Sequence, residues 1–157
     1  MTTKRQSVED EFISELSSKL ATNNIKILLE ANAAHALFEA CFPLNSGKVD
    51  WSLIANRSES EIRIVSSFYG VNRNQACKLY LGEQIAINKL VGKAFWINDN
   101  VDLVLSGNVL SFEKIFDCIL WPHGHIYLLG EKGDWCLSVT FEDDFYFGYS
   151  SPRSPVN

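Results

Sequence analysis

Hydrophobic and polar residues alternate most clearly between His125 and Tyr149. Ile126 to Leu129 form an apolar run rich in strand-forming residues, and Gly130 to Gly133 supply four turn-forming positions. Beyond the turn, every second residue is large and apolar: Trp135, Leu137, Val139 and Phe141. This pattern predicts a β-hairpin whose second strand is half buried, followed by an acidic turn and one more short strand.

The N-terminal region shows helical spacing instead. Apolar residues recur every four positions after Ser7, at Val8, Phe12, Leu16 and Leu20, which predicts an amphipathic helix over about 8–21. Three polar residues, 22–24, interrupt the pattern, and helical spacing resumes from Ile25 to Phe42. We expect two helices that form an antiparallel hairpin and cover one face of a sheet, since alanines in the second permit close approach.

The middle of the chain supports two interpretations in two places. Residues 50–69 alternate like strands, but Asp50 is also a candidate helix cap, and Ser58 with Glu61 forms a capping box. Residues 83–92 are equally open between helix and strand. Nearby, Cys77 to Leu81 has the composition of a strand.

Three further elements complete the predicted fold. Ala94 to Ile97 and Leu103 to Leu105 are short strand-like runs, and Ser111 begins a helix that Pro122 ends. The order of elements predicts an α+β fold, with an N-terminal helical hairpin packed on a largely antiparallel sheet, one later helix and a C-terminal β-hairpin. We expect a single domain over 1–149 and a flexible C-terminal tail over 150–157.

Composition narrows the class of protein. The chain has 157 residues, of which 46% are hydrophobic, so it can bury a core without disulfides or metals. No apolar run is long enough for a membrane span, and the first residues lack the apolar segment of a secretion signal. The four cysteines lie far apart in apolar segments, which predicts reduced, buried thiols in a cytoplasmic protein: Cys41, Cys77, Cys118 and Cys136.

The net charge of -5 and the pI near 5.2 bear on partners. Nucleic acids and anionic membranes require a basic surface, so direct binding to either is disfavoured. A basic protein partner is favoured instead.

Catalytic and metal-binding patterns are weak. His123 and His125 could offer two metal ligands, but no further His or Cys has suitable spacing, and a simple turn is the preferred interpretation. His35 and Glu39 are one helical turn apart, as in a surface hydrogen bond. Nucleophile, zinc-protease and phosphate-loop motifs do not occur in the sequence. We therefore expect no enzyme, no cofactor and no metal.

The acidic turn after the hairpin is the most distinctive surface feature predicted. Three consecutive carboxylates in an extended chain point to alternate faces, so they are poorly suited to one Ca²⁺ or Mg²⁺ ion. A solvated loop that protects an edge strand is the simplest interpretation. The alternative is a protein-binding epitope, in which we place Glu142, Asp143, Asp144, Tyr146 and Tyr149.

The closing pattern, Trp121-Pro122 followed by HIYLLGEKGDWCLSVTFEDDFYFGY, resembles the C-terminal strands of small bacterial immunity proteins from polymorphic-toxin and contact-dependent growth inhibition systems. The resemblance covers about the last forty residues and rests on their many aromatic and acidic residues. It implies a cytoplasmic antitoxin that binds and neutralises the toxic C-terminal domain of a cognate effector, commonly a nuclease. Such a protein would be a monomer or weak dimer, with a basic toxin domain as its partner.

Two other classes fit the size and charge. An acidic secretion chaperone would dimerise and hold a partner segment on exposed apolar grooves. A small enzyme of unrecognised type would contain a pocket with a titratable pair whose pKa values are perturbed.

Overall fold

The computed structural model describes residues 4–28, 32–121 and 123–150, and for residues 4–6 it describes the backbone alone. These residues form five α-helices: α1 Lys4–Thr22, α2 Asn32–Cys41, α3 Ile62–Tyr69, α4 Arg73–Asn88 and α5 Val109–Ile115. They also form nine strands: β1 Lys26–Leu28, β2 Leu44–Asn45, β3 Lys48–Val49, β4 Ser58–Glu61, β5 Lys93–Asn98, β6 Val104–Asn108, β7 Ile126–Gly130, β8 Trp135–Val139 and β9 Asp144–Tyr149.

Seven strands form one antiparallel sheet in the order β1-β6-β5-β7-β8-β9-β4, and β2 and β3 form a separate small hairpin. The predicted C-terminal hairpin is confirmed, with Leu128 opposite Leu137 and a turn closed by the Gly133 N–H to the Gly130 carbonyl at 2.7 Å. The α+β class and the antiparallel sheet are confirmed as well.

The sheet has two faces with different covers. Leu128, Leu137 and Phe147 belong to the helix face, which packs on α1, α3, α4 and α5. Tyr127, Cys136 and Tyr146 belong to the opposite face, here named the groove face, which packs on α2 and the β2–β3 hairpin. Strand β8 is therefore buried along its whole length, and the expectation of a half-buried strand was wrong.

The expected helical hairpin needs correction, because the first two helices lie on opposite faces. Phe12 and Leu16 of α1 pack on the helix face, and Ala34 and Phe38 of α2 pack on the groove face. Between them, β1 pairs with β6 at the sheet edge. A Cβ on Gly107 would lie 2.9 Å from Ile25 Cγ1, so a glycine at this position lets the chain before β1 approach β6 closely.

Helix α1 ends where the polar residues predicted its end. Asn24 adopts a left-handed conformation with φ 58°, the Ile25 N–H donates to the Leu20 carbonyl, and the Asn24 N–H donates to the Ala21 carbonyl. These two hydrogen bonds form a Schellman motif, in which Asn replaces the usual glycine. Gly70 after α3 and Lys89 after α4 are also left-handed, at φ 65° and 53°.

The middle of the chain is more helical than expected. Residues 77–81 belong to α4, so the predicted strand was wrong, and the described residues contain three later helices instead of one. The Asn72 side chain caps α4 by accepting from the Gln75 N–H at 2.9 Å, and residues 83–88 continue the same helix. Buried Cys77, Tyr80, Leu81 and Gln84 follow helical spacing.

Both interpretations of residues 50–69 hold, each for a different part. Asp50 caps a short 3₁₀ turn, Trp51–Leu53, and Ser58–Glu61 is a strand that leads directly into α3. The strands predicted at 94–97 and 103–105 correspond to β5 and β6. Helix α5 begins earlier than Ser111, because the Asn108 side chain provides the cap by accepting from the Leu110 N–H.

Four smaller expectations have mixed outcomes. All four cysteines are free, but only Cys77 and Cys136 are buried, while Cys41 and Cys118 are partly exposed. The predicted tail lies outside the described residues except for Ser150, whose N–H donates to the Asp134 carbonyl. Across the described ranges, none of the helices has the length and apolar character that crossing a bilayer requires.

Candidate functional site

The turn between β8 and β9 fixes the three predicted carboxylates in different directions. The Asp143 N–H donates to the Thr140 carbonyl at 3.1 Å, and the Thr140 N–H donates to the Asp144 carbonyl at 2.9 Å. Asp143 has φ 65°, a left-handed conformation that aspartate tolerates better than most residues. The connection is a three-residue hairpin loop with a bulge, and it separates the side chains of Glu142, Asp143 and Asp144.

Asp143 is occupied by an internal ion pair. Its Oδ1 accepts from Arg73 Nη2 at 2.9 Å and from Arg73 Nε at 3.0 Å. The Asp143 carbonyl also accepts from the N–H of Ile62, the first residue of α3. This residue therefore ties the turn to the helix face and is not free to meet a partner.

Glu142 and Asp144 point instead toward an open cavity of about 480 Å³ on the groove face. The sheet forms its floor, the β2–β3 hairpin with the following 3₁₀ turn forms one wall, and the acidic turn forms the other. We name this cavity the acidic groove, after its principal lining residues: Lys48, Asp50, Trp51, His125, Tyr127, Thr140, Glu142, Asp144 and Tyr146.

Aromatic contacts hold the first wall against the floor. Trp51 and Tyr146 stack with ring centroids 5.2 Å apart and ring planes within 8°. Tyr127 packs on Phe38 at 4.9 Å, and its hydroxyl accepts from the Val49 N–H at 3.3 Å. Burial raises the pKa of Tyr127, so this hydroxyl stays protonated at neutral pH. The groove is thus built on rigid packed elements.

The carboxylates of the acidic groove differ in their hydrogen-bond and ion-pair partners. Asp50 is committed to its cap, since its Oδ1 accepts from the N–H and the hydroxyl of Ser52. Glu142 has a side chain that is 67% exposed, with Oε2 4.0 Å from His125 Nε2. Asp144 forms no ion pair with any lysine or arginine of the described chain.

The pKa of Asp144 is raised, first by partial burial and then by the surrounding carboxylates Glu61, Glu142, Asp143 and Glu59. The negative charge of Asp144 is therefore unfavourable in the folded protein. A cation placed in the groove would relieve that repulsion.

Strand β4 adds further negative charge beside the groove. Glu59 lies opposite Tyr146 and Glu61 lies opposite Asp144, so these side chains project to the groove face. Both have exposed arginine partners, Arg57 at 3.2 Å and Arg63 at 2.6 Å. The Arg63 side chain is 81% exposed, and ion pairs with so exposed a partner contribute little to stability.

The histidines are placed for packing and hydrogen bonding. The backbone N–H of His125 donates to Asp99 Oδ1 at 2.9 Å. Burial lowers the pKa of the His125 imidazole, which is therefore neutral at pH 7. The His123 ring packs edge-on against the Phe141 ring, with the ring centroids 4.5 Å apart. In the described ranges, no group of three or more His, Cys, Asp or Glu side chains is arranged to hold a metal ion.

Ser138 lies beneath the groove floor, on the groove face of β8, and does not line the cavity itself. It pairs in register with Tyr127 on one side and Tyr146 on the other, and both of these tyrosines line the groove. Its side chain is fully buried, yet its hydroxyl has no hydrogen-bond partner among the described residues. Most buried hydroxyls in proteins are paired, so this one is an exception that needs a reason.

The structure brings together three of the five residues predicted for partner binding. Glu142, Asp144 and Tyr146 line the acidic groove, and Asp143 faces Arg73 instead. Tyr149 lies at the far end of β9, where its ring packs on Phe147 of the helix face and its hydroxyl donates to Asn88 Oδ1 at 3.0 Å.

Sequence reasoning did not find Trp51, His125 or Ser138 as parts of this site. Asp50 was recognised as a cap, but nothing in the sequence connects it with Tyr146. These residues meet only because the β2–β3 hairpin folds over the sheet, and that contact has no local signal in the sequence.

No protein-family model matches this chain, and no curated protein matches its sequence.

Proposed function

We propose that this protein is an immunity protein, a cytoplasmic antitoxin that binds and neutralises the toxic C-terminal domain of a cognate effector. It acts as a binding protein without catalysis, as a monomer or weak dimer, and its partner presents a basic surface. The observation that carries this proposal is the open groove in which Asp144 and Glu142, without a lysine or arginine partner in the described chain, lie beside Tyr146.

Electrostatics explains how such a groove would select its partner. Nuclease active sites are basic because they bind phosphates. The carboxylates of an acidic inhibitor can therefore pair with the same basic residues. Opposite charges on the two partners raise the association rate, and the effect weakens with added salt. Glu59 and Glu61 of β4, each in an ion pair with an arginine, extend the polar surface past the groove, which suits a protein partner better than a small molecule.

An acidic secretion chaperone is the second candidate, and a specific observation favours it. Ile64 and Phe68 on α3 are one helical turn apart and 51% and 80% exposed, and Ile87 and Val91 are 71% and 79% exposed. Exposed apolar residues of this size on a helical surface are typical of sites that hold another protein segment. These residues lie outside the acidic groove.

Growth rescue tests the proposal. Where the gene immediately upstream encodes a large effector, the C-terminal domain of that effector is the toxic domain to be expressed with this protein or with a variant. We expect the native protein to restore growth, and Glu142→Gln with Asp144→Asn to lose at least tenfold in protection.

The matched control is Glu11→Gln with Glu15→Gln, which makes the same change in net charge at two exposed positions of α1. This control should protect fully. If the native protein gives no protection and does not bind the toxic domain, the antitoxin proposal is wrong. If Phe68→Asp removes binding to the effector while the groove variant retains it, the chaperone is favoured.

A further inference from the structure

We propose that the acidic groove is a binding site for one arginine side chain, supplied by the protein partner. This inference rests on the proposed function, and it specifies which group of a basic partner enters the groove. Its support comes from two features of this cavity: carboxylates without a cationic partner in the described chain, and an aromatic wall beside them.

The carboxylates supply the charge that a guanidinium needs. Asp144 has no cationic partner in the described chain, and Glu142, two positions earlier in the same turn, lines the same cavity. A guanidinium has five N–H donors in a rigid plane, so it can bond to two carboxylates at once. The single ammonium of lysine lacks this fork.

The aromatic wall supplies a surface of matching shape. Trp51 holds the Tyr146 ring in one orientation by parallel stacking, and Tyr146 remains partly exposed beside Asp144. Arginine stacks on aromatic rings through its planar, weakly hydrated group, and such contacts contribute about 0.5–2 kcal/mol. An aromatic side chain next to a carboxylate therefore favours arginine over lysine.

The test uses the intact protein and a small probe. N-acetyl-L-arginine amide is added to the ¹⁵N-labelled protein, and the amide signals of Thr140, Asp144 and Tyr146 are followed by NMR. We expect saturable shifts confined to the groove, with a Kd of about 1–50 mM for a single side chain. N-acetyl-L-lysine amide should bind at least threefold more weakly.

Three variants sharpen the result. Asp144→Asn should weaken binding of the arginine probe at least fivefold, whereas Ser138→Ala, at a buried position that does not line the cavity, should leave that binding unchanged. Glu15→Gln, an exposed carboxylate on α1, should leave it unchanged. The native spectrum outside the groove shows whether each variant is folded.

The two proposals fail in different ways. Absent or scattered shifts, or equal affinity in the native protein and Asp144→Asn, would overturn the arginine site even if the toxic domain still binds. Binding of the probe in the groove, together with no binding of the toxic domain, would keep the arginine site and overturn the antitoxin.

Discussion

The helix face and the groove face of the same sheet differ most along β8 and β9. On the helix face, Leu137, Val139 and Phe145 form a continuous apolar surface, sealed by helices. On the groove face, Cys136 packs on the core, but Ser138, Thr140, Asp144 and Tyr146 continue the strands with polar groups. One sheet thus has a side that is sealed by helices and a side that opens into a groove at one end.

The comparison indicates which face of the sheet can accept polar residues with little loss of stability. Removing apolar contacts from the helix face would cost several kcal/mol, since every position there is enclosed. The groove end is covered only by a short hairpin and a 3₁₀ turn, so Asp144 and Tyr146 remain partly exposed. The predictions below test this division.

The largest effect should separate two neighbours on β8. Leu137→Ala should lower the free energy of unfolding by about 2–5 kcal/mol, because Leu137 is fully buried on the helix face. Ser138→Ala should change it by less than about 1 kcal/mol, because no hydrogen bond is lost. Urea denaturation measures both, and comparable losses at the two positions would contradict the division between the faces.

Thr140→Val should have an intermediate effect. The Thr140 hydroxyl accepts from the Asp144 N–H at 3.1 Å, and valine keeps the shape but removes that acceptor. We expect a loss of about 1 kcal/mol in the free energy of unfolding, since the N–H is left without its partner. Thr22→Val, whose hydroxyl is exposed at the end of α1, is the control and should have a smaller effect. An equal loss in the control would show that the turn does not depend on this bond.

The ion pair between Arg73 of α4 and Asp143 of the acidic turn should contribute less to the free energy of unfolding than the Thr140 hydrogen bond. A double-mutant cycle of Arg73→Ala and Asp143→Asn should give a coupling energy below about 1 kcal/mol, because both side chains are partly exposed, at 32% and 47%. The coupling should shrink in high salt. A coupling of several kcal/mol that persists in high salt would mean that the turn depends on this pair for its structure.

Asp144→Asn should have the smallest effect on stability and the opposite sign. The pKa of Asp144 is raised in the folded state, so its ionisation destabilises the fold, and stability rises as pH falls through the folded pKa. At pH 7 the variant should therefore be more stable than the native protein, but by no more than about 0.5 kcal/mol, because solvent screens the charge of a group this exposed. This advantage should disappear below the unfolded pKa of 3.8. Clear destabilisation at pH 7 would mean that Asp144 has a structural role.

Local patterns explain which elements were predictable. The hairpin from Ile126 to Val139 has strong alternation and a short turn, so its pairing follows from adjacent residues. Helix α4 was missed because Cys77 to Leu81 is apolar enough for a strand, and the decisive signal, the Asn72 cap, lies outside that run. The N-terminal hairpin was wrong because Ile25 and Leu28 fit helical spacing as well as a short edge strand.

The candidate site was predictable only in part, because it depends on distant contacts. The carboxylates were visible in the sequence as an acidic run, but Asp143 is turned away by Arg73, 70 residues earlier in the chain. The stacking of Trp51 on Tyr146 and the register of Ser138 between two tyrosines require the folded sheet. Patterns over a few residues cannot specify such pairings.

Association kinetics of the protein with the toxic domain, measured over a range of salt concentrations, test the central claim that the acidic groove binds a basic partner. The account predicts that Glu142→Gln with Asp144→Asn slows association, flattens its dependence on salt and weakens binding by about 2 kcal/mol or more, while Glu11→Gln with Glu15→Gln changes affinity little. Equal rates, affinities and salt dependence for the native protein and the groove variant would contradict it and place the binding surface elsewhere.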